Sequence, residues 1–110
     1  MKPMIKTYLS DENGEKFFGP GPYRLLLGIE EKGSLRAAAA QMGMAYSKAT
    51  FILHRAETHL GFHLTSRKTG GRGGGGSVIT DEGKELMLKY AEFEKACREQ
   101  CGKLFEEYFC

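Results

Sequence analysis

The sequence has no tryptophan and contains only three prolines and three cysteines in 110 residues. The cysteines, Cys97, Cys101 and Cys110, are odd in number and lie together at the C-terminal end. This pattern excludes a disulfide framework, and we expect a reducing, cytoplasmic compartment. No apolar run approaches the ~20 residues that a membrane helix needs, and no secretory signal is evident, so we expect no membrane association.

The composition is that of a globular protein, with 41% hydrophobic and 27% charged residues in a length that suits one domain. The net charge of +2 hides an asymmetry. Residues 1–80 carry 11 basic and 6 acidic side chains, whereas residues 81–110 carry 5 and 8. A basic body beside an acidic tail indicates an anionic partner, of which nucleic acid is one kind.

Local patterns predict two N-terminal elements. Residues 4–18 combine β-prone stretches with a polar, glycine-containing turn and predict a β-hairpin. Pro22 fits the first position of a helix, because its missing N–H would be unpaired there anyway. We expect this helix to continue to Lys32 and to end at Gly33.

The middle of the chain predicts two helices joined by a tight turn. Ser34 is placed to cap a short helix, Leu35–Gln41, and a longer helix is predicted over Tyr46–Leu60. Between them, Gly43 follows the small residue Ala39 by four positions. This spacing is typical of a helix-turn-helix, in which the second helix starts at the surface.

Two strand-like segments, 62–68 and 77–79, follow on either side of a glycine-rich tract. When two such strands follow a helix-turn-helix in the sequence and pair with each other, they form a wing. Here the wing is predicted over residues 62–80. We therefore predict a mostly α fold with a small β component, in which residues 1–80 form one winged helix-turn-helix domain.

On the longer helix, Ala49 and Ile52 are expected to be buried, which turns the opposite face outward. Hydroxyl, aromatic and cationic side chains on that face suit a DNA major groove. The predicted contacts of this recognition helix are Tyr46, Ser47, Lys48, Thr50, Phe51, His54 and Arg55. On the wing, the predicted phosphate contacts are Arg67, Lys68 and Arg72. Two alternatives stay open, namely that Phe51 packs in the core and that the glycine tract is a plain hairpin tip.

No set of residues suits catalysis, and we expect no enzyme activity, no cofactor and no metal. The glycine tract formally fits a nucleotide-binding pattern, but a strand follows it where that pattern requires a helix. His59 and His63 lie on either side of a helix-ending glycine and are not expected to share one face. Cys97 and Cys101 fit the role of small interface residues better than that of zinc ligands.

A final helix is predicted from residue 81 to the C-terminus, over about 43 Å. This length exceeds what a domain of this size covers. Its apolar residues recur at steps close to those of a coiled coil: Leu86, Tyr90, Phe93, Cys97, Cys101, Leu104 and Tyr108. We predict that residues 81–110 form a dimerisation helix with this stripe as its interface. The alternative is that the stripe packs on the core of its own chain.

Several segments together form a specific pattern: Gly33-Ser34-Leu35, an alanine run, Gly43-Met44-Ala45-Tyr46, the tract from Thr69 to Gly76, and Val78-Ile79-Thr80 ahead of Gly83. They closely resemble the N-terminal DNA-binding domain of the ModE family of molybdate-responsive transcription regulators, which is similar in turn to the LysR-type winged helix.

The resemblance implies dimerisation through the long terminal helix, with Tyr46–Arg55 as recognition helix and Arg72 on the wing. Two differences stand out. No residues here correspond to the molybdate-binding module of the family. In addition, Thr50 stands where the family tends to place a tryptophan.

These observations predict a homodimeric, sequence-specific regulator of transcription that binds double-stranded DNA. Its two recognition helices would enter successive major grooves about 34–36 Å apart and read an inverted repeat. Control by a separate effector-sensing protein and control by abundance alone both stay open. The alternative function is a protein-interaction adaptor built on the same winged helix.

Overall fold

The computed structural model describes residues 1–67 and 76–110, which form four helices and two short β-hairpins. In chain order the elements are β1 (Leu9–Ser10), β2 (Lys16–Phe18), α1 (Pro20–Lys32), α2 (Leu35–Gln41), α3 (Tyr46–Leu60), β3 (Thr65–Arg67), β4 (Ser77–Ile79) and α4 (Asp81–Phe109). β1 pairs with β2 and β3 pairs with β4, both antiparallel. This order confirms the predicted winged helix-turn-helix with an N-terminal hairpin and a long C-terminal helix.

Side-chain caps set the starts of two helices where the sequence predicts them. The Ser34 hydroxyl accepts a hydrogen bond from the Ala37 N–H at 3.1 Å, at the start of α2. The Thr80 hydroxyl accepts from the Gly83 N–H at 3.0 Å, at the start of α4. α1 begins at Pro20, two residues earlier than predicted, because the first turn of a helix tolerates proline at each of its early positions.

The N-terminal hairpin is shorter than predicted, since β1 contains only Leu9–Ser10 and residues 4–8 lie outside it. The preceding segment binds α4 instead. The Tyr90 hydroxyl donates to the Thr7 carbonyl at 2.8 Å, which satisfies a backbone acceptor of this segment. Leu9 already pairs with Phe18, the last residue of β2, and α1 begins at Pro20, so residues 4–8 have no strand to pair with.

The wing strand β3 likewise begins later than predicted, at Thr65. Leu64, just before it, is fully buried, and its N–H donates to a carboxylate oxygen of Glu57 on α3 at 2.8 Å. The Leu64 carbonyl accepts from the Thr80 N–H at 3.0 Å. These bonds attach the base of the wing to α3 and to the start of α4.

One apolar core lies between the helices and the two hairpins. Its buried members are Phe18, Leu25, Leu26, Ile29, Ala38, Ala39, Ala49, Leu53, Ala56, Leu64, Ile79, Met87 and Tyr90. Within this core α1 and α2 approach closely, since a Cβ at Gly28 would lie only 2.9 Å from the Cβ of Ala38. Small residues at this crossing let α1 support the helix-turn-helix directly.

α4 divides into two parts that we call the docked half, residues 81–92, and the distal half, residues 93–109. The docked half contains the three buried residues of the helix, Gly83, Met87 and Tyr90, whereas the distal half contains none. The described chain extends 57 Å along its longest axis, against 29 and 24 Å along the others. Among the described residues, no helix combines the length and the apolarity that crossing a membrane requires.

Candidate nucleic-acid interface

The turn between α2 and α3 places the start of α3 at the surface. The Met44 N–H donates to the Ala39 carbonyl at 2.9 Å, and Gly43 adopts a φ of 66°, a left-handed conformation that favours glycine. α3 begins after Ala45, whose side chain has no oxygen to cap the helix. The backbone N–H groups of the first turn therefore lack a side-chain cap, and such a helix end attracts phosphate.

α3 has one buried and one exposed face, as its sequence pattern predicts. Ala49, Leu53 and Ala56 are buried, while Ile52 is partly buried against the core. Phe51 is 62% exposed, so it does not pack in the core. Six of the seven predicted recognition residues are exposed: Tyr46, Ser47, Lys48, Thr50, Phe51 and His54.

The hydroxyl of Thr50 is oriented by its own helix. Its O–H donates to the Tyr46 carbonyl at 3.0 Å. The remaining lone pairs of the oxygen can only accept, and the methyl group remains for apolar contact. Thr50 is thus suited to accept from the exocyclic amino group of adenine or cytosine, or to contact a thymine methyl.

Arg36 belongs to the same surface, although the sequence analysis did not select it. The guanidinium carbon of Arg36, in the first turn of α2, lies 4.2 Å from the centre of the Tyr46 ring. This cation–π contact holds a positive charge beside the start of α3. The available signal was that Arg36 is the single charged residue of α2.

Arg55, the seventh predicted recognition residue, faces the N-terminal hairpin. Its Nη2 lies 3.5 Å from a carboxylate oxygen of Glu15, and its side chain is 35% exposed. Its Nε is buried and makes no hydrogen bond within the described chain. In this conformation Arg55 is bound to a carboxylate and does not share the exposed face of Phe51 and Thr50.

The wing contributes one described cation, Arg67, which is exposed at the end of β3 opposite Ser77. The Ser77 N–H donates to the Gly33 carbonyl at 2.8 Å, which fixes β4 against the end of α1. Lys68 and Arg72, the other predicted wing contacts, lie outside the described residues. Arg67 therefore extends from a strand pair that is anchored to the core through β4.

The distal half of α4 carries an apolar stripe, which we call the exposed stripe. It consists of Phe93, Cys97, Cys101, Leu104 and Tyr108. Phe93 and Leu104 are each 52% exposed, and both cysteines are half-buried and free. With Pro3 and Ile5 of the N-terminal segment, the stripe lines an apolar groove of about 710 Å³.

Two predicted interface residues face the core of their own chain instead. The Tyr90 ring packs edge-on against Phe18, with ring centroids 5.1 Å apart, and tilted by 42° against Tyr23 at 5.2 Å, and Tyr90 is 4% exposed. Burial raises the pKa of its hydroxyl, and the nearby charge of Glu94 adds to the shift. Leu86 is partly buried against the same core. The predicted interface is corrected accordingly, since in both residues the apolar periodicity is satisfied within the chain.

The two histidines that flank the end of α3 have separate partners. His59 lies 3.2 Å from a carboxylate oxygen of Asp11, whereas His63 lies 3.5 Å from one of Glu57. They share no partner, in agreement with the predicted separation of their faces.

A family model described as "Bacterial regulatory helix-turn-helix protein, lysR family" matches residues 22–84, more than half of the chain. The chain belongs to this lysR family. The matched residues extend from the first turn of α1, through the helix-turn-helix and the wing, to the start of α4.

Curated relatives support the resemblance to ModE. The molybdenum transport protein ModE of Herbaspirillum seropedicae is 33% identical over 73 residues, which is 66% of this lysR-family chain and 27% of that protein. The DNA-binding transcriptional dual regulator ModE of Escherichia coli K12 is 34% identical over 74 residues, 67% of this chain and 28% of that protein. The chain therefore matches little more than a quarter of the length of these relatives.

Solved structures show the same fold at low sequence identity. The DNA-binding domain in the CbnR_DBD–DNA complex has a TM-score of 0.58 at 18% identity, covering 73% of this chain and 86% of that one. Full-length LysG of Corynebacterium glutamicum has a TM-score of 0.57 at 22% identity, covering 80% and 29%. These neighbours establish the winged-helix architecture of the family member described here.

Proposed function

We propose that this lysR-family protein is a sequence-specific, DNA-binding transcription regulator of the ModE type. The observation that carries the proposal is the exposed start of α3. There an uncapped helix end, the polar and aromatic side chains of its outer face, and Arg36 lie on one surface. A helix of this kind, projecting from a rigid core, suits the major groove of double-stranded DNA.

Phosphate binding is assigned to the cations around this helix. Arg36 and Lys48 lie beside the start of α3, and Arg67 lies at the end of β3. Lys68 and Arg72, which lie outside the described residues, are added as phosphate contacts on the grounds of sequence and resemblance alone. Such contacts supply affinity that does not depend on DNA sequence and that weakens with added salt.

Base reading is assigned to the outer face of α3. Ser47 can donate or accept, and Thr50 accepts while its proton stays on the helix. The exposed ring of Phe51 suits apolar contact with a thymine methyl. The bases are therefore read mainly by two neutral hydroxyl groups and one aromatic ring.

A homodimer is proposed through the exposed stripe of α4. Pairing two stripes would bury aromatic and aliphatic side chains that a single chain leaves in water. A two-fold dimer would present two α3 helices to successive major grooves, about 34–36 Å apart, and would read an inverted repeat.

The test is selection of bound DNA from a random library at fixed ionic strength, followed by salt titrations on the selected site. We expect an enriched inverted repeat. Phe51→Ala should change the preferred base at one position of each half-site, with a loss of about 1–3 kcal/mol there.

Arg36→Ala should weaken binding to all sequences alike and lower the salt slope by about one unit. Lys89→Ala is the matched control, since Lys89 is an exposed lysine on α4, away from α3. Failure to enrich any sequence, together with capture of a defined protein partner, would favour the adaptor function instead.

A further inference from the structure

His59, near the end of α3, is held between two oxygen atoms. Its Nδ1 lies 3.0 Å from the Arg55 carbonyl, and its Nε2 lies 3.2 Å from a carboxylate oxygen of Asp11 in the N-terminal hairpin. A carbonyl oxygen can only accept, so Nδ1 carries the proton. In the neutral ring, Nε2 then presents a lone pair to a carboxylate, an arrangement that becomes favourable when a metal ion lies between the two atoms or when Nε2 is protonated.

We propose that His59, Asp11 and Glu15 form a binding site for a divalent metal ion between the N-terminal hairpin and α3. One ligand atom from each of the three side chains lies within 4.8 Å of the other two. Two ligands at about 2.1 Å from a common ion and 3.2 Å apart subtend about 100° at that ion, between tetrahedral and octahedral angles.

The ligands are held in place by groups that do not themselves bind the ion. The Phe17 ring stacks on the His59 ring at 5.0 Å with an interplanar angle of 2°. The bond from Nδ1–H to the Arg55 carbonyl fixes the ring in the tautomer that leaves Nε2 free to ligate, as in known metal sites.

Asp11 is prepared in a similar way. One of its oxygens accepts from the backbone N–H groups of Glu15 and Asn13, both at 2.9 Å, while the other faces His59. These two bonds fix the orientation of the carboxylate, so that its second oxygen is directed towards Nε2 of His59.

The donor set selects the class of ion. One imidazole nitrogen and two carboxylates suit a borderline first-row ion such as Mn²⁺ or Zn²⁺, with water completing the coordination. The side chains of His59 and Asp11 are 23% and 25% exposed and that of Glu15 is 61% exposed, so the site lies at the surface, where the ion reaches it from solvent.

Occupancy of this site competes with an ion pair of α3. Glu15, the third ligand, also lies 3.5 Å from Nη2 of Arg55. A divalent ion withdraws Glu15 from that pair and repels the guanidinium, which releases Arg55 from the hairpin. Under the proposed DNA-binding function, on which this step alone rests, the released Arg55 becomes available to a phosphate.

Calorimetric titration of the full chain with MnCl₂ and ZnCl₂, without DNA, tests the site. We expect one Mn²⁺ ion per chain in the calorimetry, with broadening of the His59 ring resonances by Mn²⁺ and a shift of the same resonances by diamagnetic Zn²⁺. His59→Phe keeps a ring to stack on Phe17, and Asp11→Asn keeps an oxygen for the turn. Each should weaken Mn²⁺ binding at least about tenfold.

His63→Ala is the matched control, because His63 also faces a carboxylate but lies outside the three-residue set. Circular dichroism verifies that each variant folds. Equal Mn²⁺ affinity in the His59→Phe and His63→Ala proteins would overturn the site. So would a His59 ring that responds to pH alone while millimolar Mn²⁺ has no effect.

The coupling is tested separately by DNA affinity with and without Mn²⁺. We expect a gain of about two- to fivefold in the unmodified protein, the worth of one exposed ion pair, and none in Arg55→Ala. Mn²⁺ binding with unchanged DNA affinity would overturn the coupling. A protein that binds Mn²⁺ at His59 but no DNA would overturn the proposed function and leave the metal site standing.

Discussion

The docked and distal halves of α4 carry the same apolar periodicity in different surroundings. In the docked half, Met87 and Tyr90 are buried against the core of the chain, at 6% and 4% exposure. In the distal half, Phe93 and Leu104 are each 52% exposed. An apolar stripe on a helix predicts that this face packs against something. Whether it packs against its own chain depends on which elements lie beside it in the fold.

The largest expected difference between the halves concerns two tyrosines. Tyr90→Ala removes a buried ring, its contacts with Phe18 and Tyr23, and a hydrogen bond to Thr7. We expect a loss of about 3–5 kcal/mol in the free energy of unfolding, measured by urea denaturation.

Tyr108→Ala is the matched change in the distal half, where the ring is 78% exposed. It should change the stability of the single chain by no more than about 0.5 kcal/mol. Equal effects of the two substitutions would show that the halves do not differ as described.

The next expected effect concerns assembly. Leu104→Glu places a charge in the exposed stripe, where a partner helix would have to bury it. We expect the dissociation constant of the homodimer to rise about a hundredfold, or about 2.7 kcal/mol, by sedimentation equilibrium, with unchanged circular dichroism.

Leu88→Glu provides the control, since Leu88 is 62% exposed on the docked half and outside the stripe. It should leave the dimer intact. If Leu88→Glu separated the chains and Leu104→Glu did not, the proposed interface would be on the wrong part of α4.

The smallest expected effects come from two glycines of α4 and have opposite signs. A Cβ at Gly83, in the docked half, would lie 2.7 Å from the Leu64 carbonyl oxygen. Gly83→Ala should therefore cost about 1–3 kcal/mol in thermal or urea unfolding of the single chain.

A Cβ at Gly102, in the distal half, would meet no atom within 4 Å apart from the adjacent residues and the backbone of its own helix. Gly102→Ala should stabilise the single chain by about 0.5–1 kcal/mol through helix propensity. A gain in stability accompanied by a weaker dimer would sharpen the comparison, because it would place a partner backbone beside Gly102. A stability loss for Gly102→Ala would argue against an open distal half.

Local chemistry was enough to predict several elements to the residue. α2, α3 and β4 have the bounds that were predicted: Ser34 caps the start of α2, and the left-handed glycines Gly43 and Gly61 follow the ends of α2 and α3. Hydrogen bonds to a cap and a left-handed glycine act within four residues, so their effect can be read from the sequence. The outward face of α3 followed in the same way from its 3.6-residue period.

Pairings between distant residues could not be predicted in this way. Thr7 binds Tyr90 of α4, and Arg55 faces away from the recognition surface because it meets Glu15. Arg36 belongs to the recognition surface because the fold places its guanidinium over the Tyr46 ring. Each contact joins residues from different elements, at separations over which local propensity carries no information.

The sequence by itself determined the family, the order of the elements, the caps and the exposed face of α3, because these depend on short-range geometry and on motif spacing. The tertiary structure alone decided which part of α4 packs in the core. It also decided that Arg55 pairs with Glu15 while Arg36 lies beside the start of α3. It also brought His59 to the acids of the hairpin. Burial and charge pairing depend on atoms brought together only when the chain folds, and the sequence order does not specify those distances.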